Sequence, residues 1–301
     1  MDIIATIWDF DKTLIPGYMQ DPIFKEYGVD PKTFWEENNK AIKDLRAQGY
    51  AVNADAYYLN RFIEKSKKGG AFAGLDNKRL EALGAKLEFY AGALDLFAEI
   101  KSLNDREEYR EFGISFENYI VSTGFKRMIK GSAIAPYVTK IWGADLVDAE
   151  IDGVRCLKEI AYSLDNTTKT RALFEINKGV GVVEGSEIDV NTKIPEQERR
   201  IQFCNMVYIA DGPSDIPAFS VLNKHAGAAL AVYKPEDVAS YKQADALQRE
   251  QRVQQVAPAD YRKGQQAYLW LMERIKTQAN QIIQCKKSVF LKSAGTPKHL
   301  I

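Results

Sequence analysis

Three short apolar runs, each ending abruptly in polar or glycine-rich residues, constrain this chain more than any other feature of it. Ile3–Trp8 stops at an acidic cluster containing Asp9 and Asp11, Asn118–Ser122 runs into Thr123-Gly124, and Asn205–Ala210 into Asp211-Gly212-Pro213-Ser214-Asp215. Runs of this length and composition, bounded by turn residues, read as strands buried on both faces, which is the habit of parallel strands in α/β proteins. Ligands of an open doubly wound sheet bind at the carboxyl ends of its strands, so three polar strand ends far apart in sequence can converge on one site.

The segments between these runs supply the other layers. Pro31–Gln48, Ala54–Lys68 and Asn77–Tyr90 carry apolar residues at three- and four-residue intervals and predict helices. They form an insertion between the first two strands. Ala93–Leu103 predicts an amphipathic helix that returns to the sheet and leads through a charged loop, Asn104–Glu111, to the second strand. The expected architecture is an α/β, Rossmann-like parallel-sheet core formed by residues 1–15 and 91–301, with a helical cap inserted at 16–90. Farther on, Ala144–Ile151 and Val154–Ser163 flank Asp152-Gly153, a dipeptide suited to a tight hairpin. Thr168–Asn177 predicts a helix stopped by Lys178-Gly179, Glu184–Gln202 a polar surface excursion, and Tyr261–Lys286 a long closing helix followed by a loose basic tail to Ile301.

Composition removes several function classes. The 41 Lys and Arg balance 41 Asp and Glu, so the chain lacks the cationic field that holds nucleic acid or anionic lipid, and a small molecule is the expected partner. Three separated cysteines suggest neither a disulfide framework nor a zinc knuckle, and two histidines leave little room for histidine-centred catalysis. No stretch approaches the roughly 18 apolar residues of a membrane span, and the N-terminus does not resemble a secretory signal, so a cytoplasmic location is expected. Oxygen ligands and carboxylate chemistry are what remain.

The densest chemistry lies in Asp9-Phe10-Asp11-Lys12-Thr13-Leu14. Strand alternation would place both carboxylates on one side, where they repel unless a cation or a shared proton relieves them. This segment resembles the first motif, DxDxT, of the haloacid dehalogenase (HAD) superfamily, and in particular its phosphoserine-phosphatase-like members with a helical C1-type cap. Val121-Ser122-Thr123-Gly124-Phe125 is similar to their second motif, Lys169 in Lys169-Thr170-Arg171-Ala172-Leu173 to the third, and Asp211-Gly212-Pro213-Ser214-Asp215 to the fourth, all in the same order. Arg171 and Lys178 are nearby alternatives to Lys169. Thr123 stands where the phosphoserine phosphatases carry glycine, and Lys12 where glycine is frequent in the superfamily.

The resemblance implies a phosphomonoester hydrolase that acts on a small phosphorylated metabolite through an aspartyl-phosphate. Asp9 would be the nucleophile and Asp11 the acid and base, while Ser122, Thr123, Gly124 and Lys169 would hold the phosphoryl group. Magnesium would be bound by Asp9, Asp211 and the backbone carbonyl of Asp11, with Thr13, Gly212 and Asp215 in support. Oxygen ligands with retained waters suit Mg²⁺ on general grounds. Asp215 could equally cap the helix after it. A phosphomutase uses the same intermediate and carries the same motifs, and a catalytically idle binding protein could retain the fold; a dehalogenase would not need the second aspartate. Phe34, Trp35, Tyr57, Tyr58 and Phe62 are expected to pack inside the cap rather than line a substrate entrance. Lys126, Arg127 and His225 are expected on the surface and in loops. Trp270 and its apolar neighbours would pack on the core or pair two copies in a homodimer.

Overall fold

The computed structural model describes residues 2–183, 185 and 187–293, without the side chains of 291–293, so the end of the tail and two positions of the 184–202 excursion lie outside the described residues. In chain order the elements are β1 (Asp2–Trp8), α1 (Asp21–Tyr27), α2 (Pro31–Ala47), α3 (Ala54–Ser66), α4 (Asn77–Gly84), α5 (Ala93–Ser102) and α6 (Glu107–Arg110). Then follow β2 (Ile114–Phe125), α7 (Lys126–Gly131), β3 (Lys140–Ile151), β4 (Val154–Tyr162), α8 (Lys169–Lys178), β5 (Met206–Ala210) and α9 (Ile216–Lys224). The chain closes with β6 (Ala228–Tyr233), α10 (Val238–Arg249), β7 (Gln255–Pro258) and α11 (Gln266–Ser293). No helix among the described residues is long and apolar enough to cross a membrane.

The strands form one sheet in the order β4-β3-β2-β1-β5-β6-β7, parallel except for the β3–β4 hairpin. Strand alternation divides β1 between two cores. Ile4 and Trp8 face one cluster with residues of α5 and α11, while Ile3, Ala5 and Ile7 face a second with residues of α8, α9 and α10. The sheet is therefore covered on both sides, which is why its central strands read as nearly continuous apolar runs. In the hairpin turn, Asp152 and Gly153 have φ of 52° and 75°, the left-handed pair that a two-residue turn between twisted strands requires.

Local signals set most helix ends in the insertion. Asp30, Asn53 and Asp76 each accept a backbone N–H bond at the start of α2, α3 and α4, and Pro31 occupies the first turn of α2. Asn77–Tyr90 is not one helix, however. α4 ends at Gly84, where it lies against α7 almost backbone to backbone: a Cβ at Gly84 would sit 2.0 Å from the Met128 carbonyl, and one at Gly131 2.0 Å from that of Glu81. Beyond it, Leu87, Phe89 and Tyr90 pack on the main core, and the Tyr90 N–H donates to the Leu14 carbonyl, returning the chain to the exit of β1. Their apolar spacing is that of a loop held against a surface.

An aromatic nucleus fills the insertion. Phe62 stacks on Phe72 with centroids 4.9 Å apart, Phe24 and Phe34 close around them, and Phe125 from the end of β2 meets Phe62 edge-on at 5.1 Å. The hairpin adds further ties: the Leu157 N–H donates to the Leu75 carbonyl, and Asn77 donates to the carbonyl of Leu146 and to Asp148. Cys156 is a buried free cysteine, while Cys204 and Cys285 are free and exposed.

Candidate active site

The site is assembled where β1, β2 and β5 end side by side. Trp8 pairs with Ile120 on one side and Ile209 on the other, and the Asp9 N–H donates to the Ile209 carbonyl at 2.9 Å, so register delivers Asp9 and Asp211 to adjacent strand ends. Past Asp9 the chain turns at once. Leu14 donates to the Phe10 carbonyl at 2.9 Å, and Lys12 adopts φ 59°, a left-handed conformation that costs a side chain more than a glycine. The Thr13 hydroxyl donates to Asp9 Oδ2 at 3.1 Å, and Asp11 Oδ1 accepts the Met19 N–H at 2.8 Å.

On β2 the pairing with β3 slips between Val121 and Phe125, producing a bulge in which Ser122, Thr123 and Gly124 stand opposite Gly143 alone. Bulges re-aim side chains, and here Ser122 and Thr123 line the cavity over Asp9. Gly124 does not line it. Its N–H donates to Ser122 Oγ at 3.1 Å, and a Cβ there would meet the Met19 side chain at 2.5 Å.

Lys169 begins α8. The turn before it is built by Asp165, whose Oδ1 accepts the N–H groups of Thr167 and Thr168 at 2.9 and 2.7 Å. From there Lys169 Nζ reaches Asp9 Oδ1 and Asp215 Oδ1, each at 2.7 Å, with all three side chains buried. The neighbouring cations point elsewhere: Arg171 pairs with Glu175 at 2.8 Å, and Lys178 donates to the Val190 and Thr192 carbonyls. Asp215 stands at the N-cap of α9 but makes no capping bond; Tyr208 and Lys169 both donate to its Oδ1 and Ser214 to its Oδ2. It orients the lysine.

Asp9, Asp211 and Asp215 each bring a carboxylate oxygen within 4.8 Å of the others. Burial pushes Asp9 up to about 6, against the pull of Lys169, and burial together with the charges of Asp9 and Asp215 pushes Asp211 up to about 7. Asp11 is raised by burial and then by Asp9. Burial opposes the charge of Lys169, but Asp215 and Asp9 outweigh it and hold its pKa above the ordinary lysine range. Asp9 and Asp215 already accept hydrogen bonds on both oxygens, whereas among the described residues Asp211 has no hydrogen-bond or ion-pair partner. Three crowded carboxylates with one lysine among them fit a divalent cation, with Asp211 as the ligand most in need of it.

The cavity over these groups has a volume of about 320 Å³ and is lined by Asp9, Asp11, Ser122, Thr123, Lys169, Asp211 and Gly212. Thr13 and Asp215 lie behind it, fully buried. Asp55, Asn166, Ser214 and Gln243 also line it and were not singled out from the sequence. Asn166 and Ser214 were the accessible cases, lying in the turns before Lys169 and Asp215. Asp55 and Gln243 lie on α3 and α10, where nothing local distinguishes them from solvated helix residues. A second cavity of about 460 Å³ adjoins this one through Asp11, Tyr18, Asp55 and Thr123, and reaches Gln20, Trp35, Asn38 and Tyr58 of the insertion. Phe34, Tyr58 and Phe62 are buried as expected, but Tyr58 and Trp35 also face this second space. Lys126 and Arg127 pair with Asp145, and His225 stacks on Phe203 at 4.9 Å, outside the lining of either cavity.

A protein of Borreliella burgdorferi described as an "Uncharacterized protein" is 41% identical over 289 residues, covering 91% of this chain and 97% of that one. The two chains belong to one family. No family model matches the chain. Among solved structures, phosphoserine phosphatase in its apo form superposes with a TM-score of 0.50 at 16% identity, covering 85% of this chain and 93% of that one. A HAD family hydrolase of Salmonella enterica serovar Typhi gives 0.49 at 17% identity over 84% of this chain and 66% of that one, so this chain spans just under two thirds of that neighbour's length. The first likeness identifies the haloacid dehalogenase fold, and the mostly parallel sheet with its strand-end acidic cluster agrees with it. That fold places the cluster at the carboxyl end of the sheet, where the chemistry of open α/β proteins resides.

Proposed function

We propose that this protein is a magnesium-dependent phosphomonoester hydrolase that works through phosphorylation of Asp9. The observation that carries the reading is the pairing of Lys169 with Asp9 and Asp215 at 2.7 Å each, beneath a cavity that Ser122, Thr123, Asp11 and Asp211 also line. A buried carboxylate fixed at both oxygens and facing such a cavity is a preorganised nucleophile. Magnesium held by Asp9, Asp211 and the Asp11 carbonyl would neutralise phosphoryl charge and so let an anionic nucleophile approach an anionic ester.

The remaining work falls to side chains. Lys169 supplies positive charge to the transferring group and Ser122 a hydroxyl donor. Asp9 attacks phosphorus, the bond from phosphorus to the ester oxygen breaks, and Asp11 gives that oxygen its proton. Asp11 suits the acid role: burial and the charge of Asp9 favour its protonated form, and the Met19 N–H fixes one of its oxygens. In the second half, Asp11 takes a proton from water, which attacks the phosphoryl group and frees Asp9 and inorganic phosphate.

The test is hydrolysis of p-nitrophenyl phosphate by the purified protein with magnesium, with EDTA, and after Asp9→Asn. Activity that needs magnesium and vanishes in the variant supports the reading. Turnover that survives Asp9→Asn removes the nucleophile and refutes it. Transfer of phosphate to a sugar hydroxyl faster than to water would make the protein a mutase.

A further inference from the structure

Resting on that reading, we infer that the second cavity receives the alcohol portion of the substrate, and that this alcohol carries a primary ammonium group and no carboxylate. The two cavities share Asp11, Tyr18, Asp55 and Thr123, so one small molecule can place its phosphate over Asp9 and its alcohol among the helices of the insertion.

The lining of the second cavity is one-sided in charge. It contains Asp11 and Asp55 but no lysine, arginine or histidine. Gln20 and Asn38, only 4% and 3% exposed, each hold a side-chain carbonyl oxygen with no hydrogen-bond partner among the described residues. Buried carbonyls left unpaired are costly, and a ligand that brings donors removes the cost. The Asp55 carboxylate is half-buried at the seam between the cavities and has neither a hydrogen bond nor an ion pair among the described residues, while burial and Asp165 disfavour its charge. Tyr58 is not a free donor, because its hydroxyl already donates to the Thr123 carbonyl at 2.8 Å.

These features discriminate among leaving groups. A carboxylate, as in phosphoserine, would meet Asp11 and Asp55 with no cation in the lining of this cavity, since Lys12 and Lys169 line the phosphate side. A neutral polyol could donate to the carbonyls but would bring no cation to Asp55, whose charge burial and Asp165 disfavour more than Lys169 favours it. A quaternary ammonium would compensate Asp55 but has no N–H for Gln20 and Asn38. A primary ammonium has one charge and three donors, and the aromatic residues Trp35 and Tyr58 border the same space. The reaction is ordinary hydrolysis: the bond from phosphorus to the alcohol oxygen breaks, that oxygen gains a proton, and water ends as the fourth oxygen of inorganic phosphate.

The test compares kcat/KM for 2-aminoethyl phosphate, 2-hydroxyethyl phosphate, phosphoserine, the trimethylammonium analogue of the first, and p-nitrophenyl phosphate, all with magnesium. The expected result is a preference of tenfold or more for 2-aminoethyl phosphate over each of the next three, reduced at least tenfold in Asp55→Asn. If p-nitrophenyl phosphate is hydrolysed but 2-aminoethyl phosphate is not preferred, or the preference survives in Asp55→Asn, this inference is overturned and the phosphatase reading stands. If no ester is hydrolysed, the phosphatase reading fails and takes this inference with it. The wild-type ranking needs no variant, so misfolding of Asp55→Asn would not spare the claim.

Discussion

The two cavities that meet at Asp11 and Thr123 differ in how their polar groups are satisfied. On the strand-end side, Lys169 is bonded to two carboxylates, and Thr13, Tyr208 and Ser214 fill the remaining acceptor sites of Asp9 and Asp215. On the insertion side, the carbonyls of Gln20 and Asn38 and the carboxylate of Asp55 have no partner among the described residues. Apart from Asp211, the first region is already held in place by its own hydrogen bonds, as the proposed phosphoryl chemistry requires. The second is incomplete until a particular ligand supplies its donors. On the proposed reading, chemistry and selectivity are separated, one carried by β1, β2, β5 and α8 and the other by the helices of the insertion and the residue before α1.

The sharpest way to break this comparison is to remove the nucleophile. Asp9→Asn is expected to lower turnover of every ester by about a thousandfold or more with an unchanged circular dichroism spectrum, because the amide keeps the shape but not the nucleophilicity. A variant retaining a tenth of the activity would show that the strand-end region is not the reacting one.

Next in size is Lys169→Met, which leaves two buried carboxylates facing each other. A loss of roughly 3–5 kcal/mol is expected from breaking one partner out of a buried ion cluster, read by urea unfolding without metal. Lys126→Met, which removes a partly exposed pair with Asp145, should cost about 0–1 kcal/mol in the same assay. Similar losses for both would mean that the Lys169 cluster is no more demanding than the surface.

A third experiment uses pH. Asp9 and Asp211 have folded-state pKa values raised to about 6 and about 7 from an ordinary 3.8, so the folded chain binds more protons than the unfolded chain between these values. Their contribution to stability is whole below about 4 and is lost as pH rises through about 7. Without metal, unfolding should become easier across that window, and magnesium at about 100 times its Kd should return roughly 2.7 kcal/mol at neutral pH but less at pH 5, where protons compete. Asp211→Asn should weaken the pH trend and the magnesium effect together. Denaturant melts at pH 5 and 8, with magnesium and with EDTA, check both signs.

Smaller effects sharpen the boundary between the regions. Gly84→Ala forces a Cβ against the Met128 carbonyl and should cost about 1–3 kcal/mol. A neutral outcome would show that α4 and α7 can separate cheaply. Tyr208→Phe removes one of the three hydrogen bonds on Asp215 and should cost about 1 kcal/mol, with a modest fall in kcat as Lys169 loses definition. No change in either would mean that Lys169 and Ser214 suffice to position Asp215.

Features that act over a few residues are legible in the sequence. The three apolar runs, the Asp152-Gly153 turn and the starts of α2, α3 and α4 follow from alternation, turn chemistry and capping, all of which act over a few residues. The order of the motifs likewise needed only residue types at short spacing. β2 begins earlier than its apolar run because its first residues are paired by β1 rather than marked by their own pattern. The helix expected to run to Tyr90 stops at Gly84, and the apolar residues beyond it are held by distant parts of the chain, as in the Tyr90 N–H bond to the Leu14 carbonyl, which local spacing does not reveal.

The sequence by itself determined that acidic and hydroxyl residues would stand at strand ends, because strand periodicity and turn residues are short-range properties of the chain. Only the tertiary structure decided that Lys169, and not Arg171 or Lys178, meets Asp9 across 160 positions and Asp215 across 46, and that Asp215 serves the lysine instead of capping its own helix. It alone brought Asp55, Gln20 and Asn38 to the edge of the same space. The reason is physical: strand register and helix packing fix which distant side chains share a low-dielectric cavity, and the cost of unpaired polar groups there depends on that company, not on their neighbours in sequence.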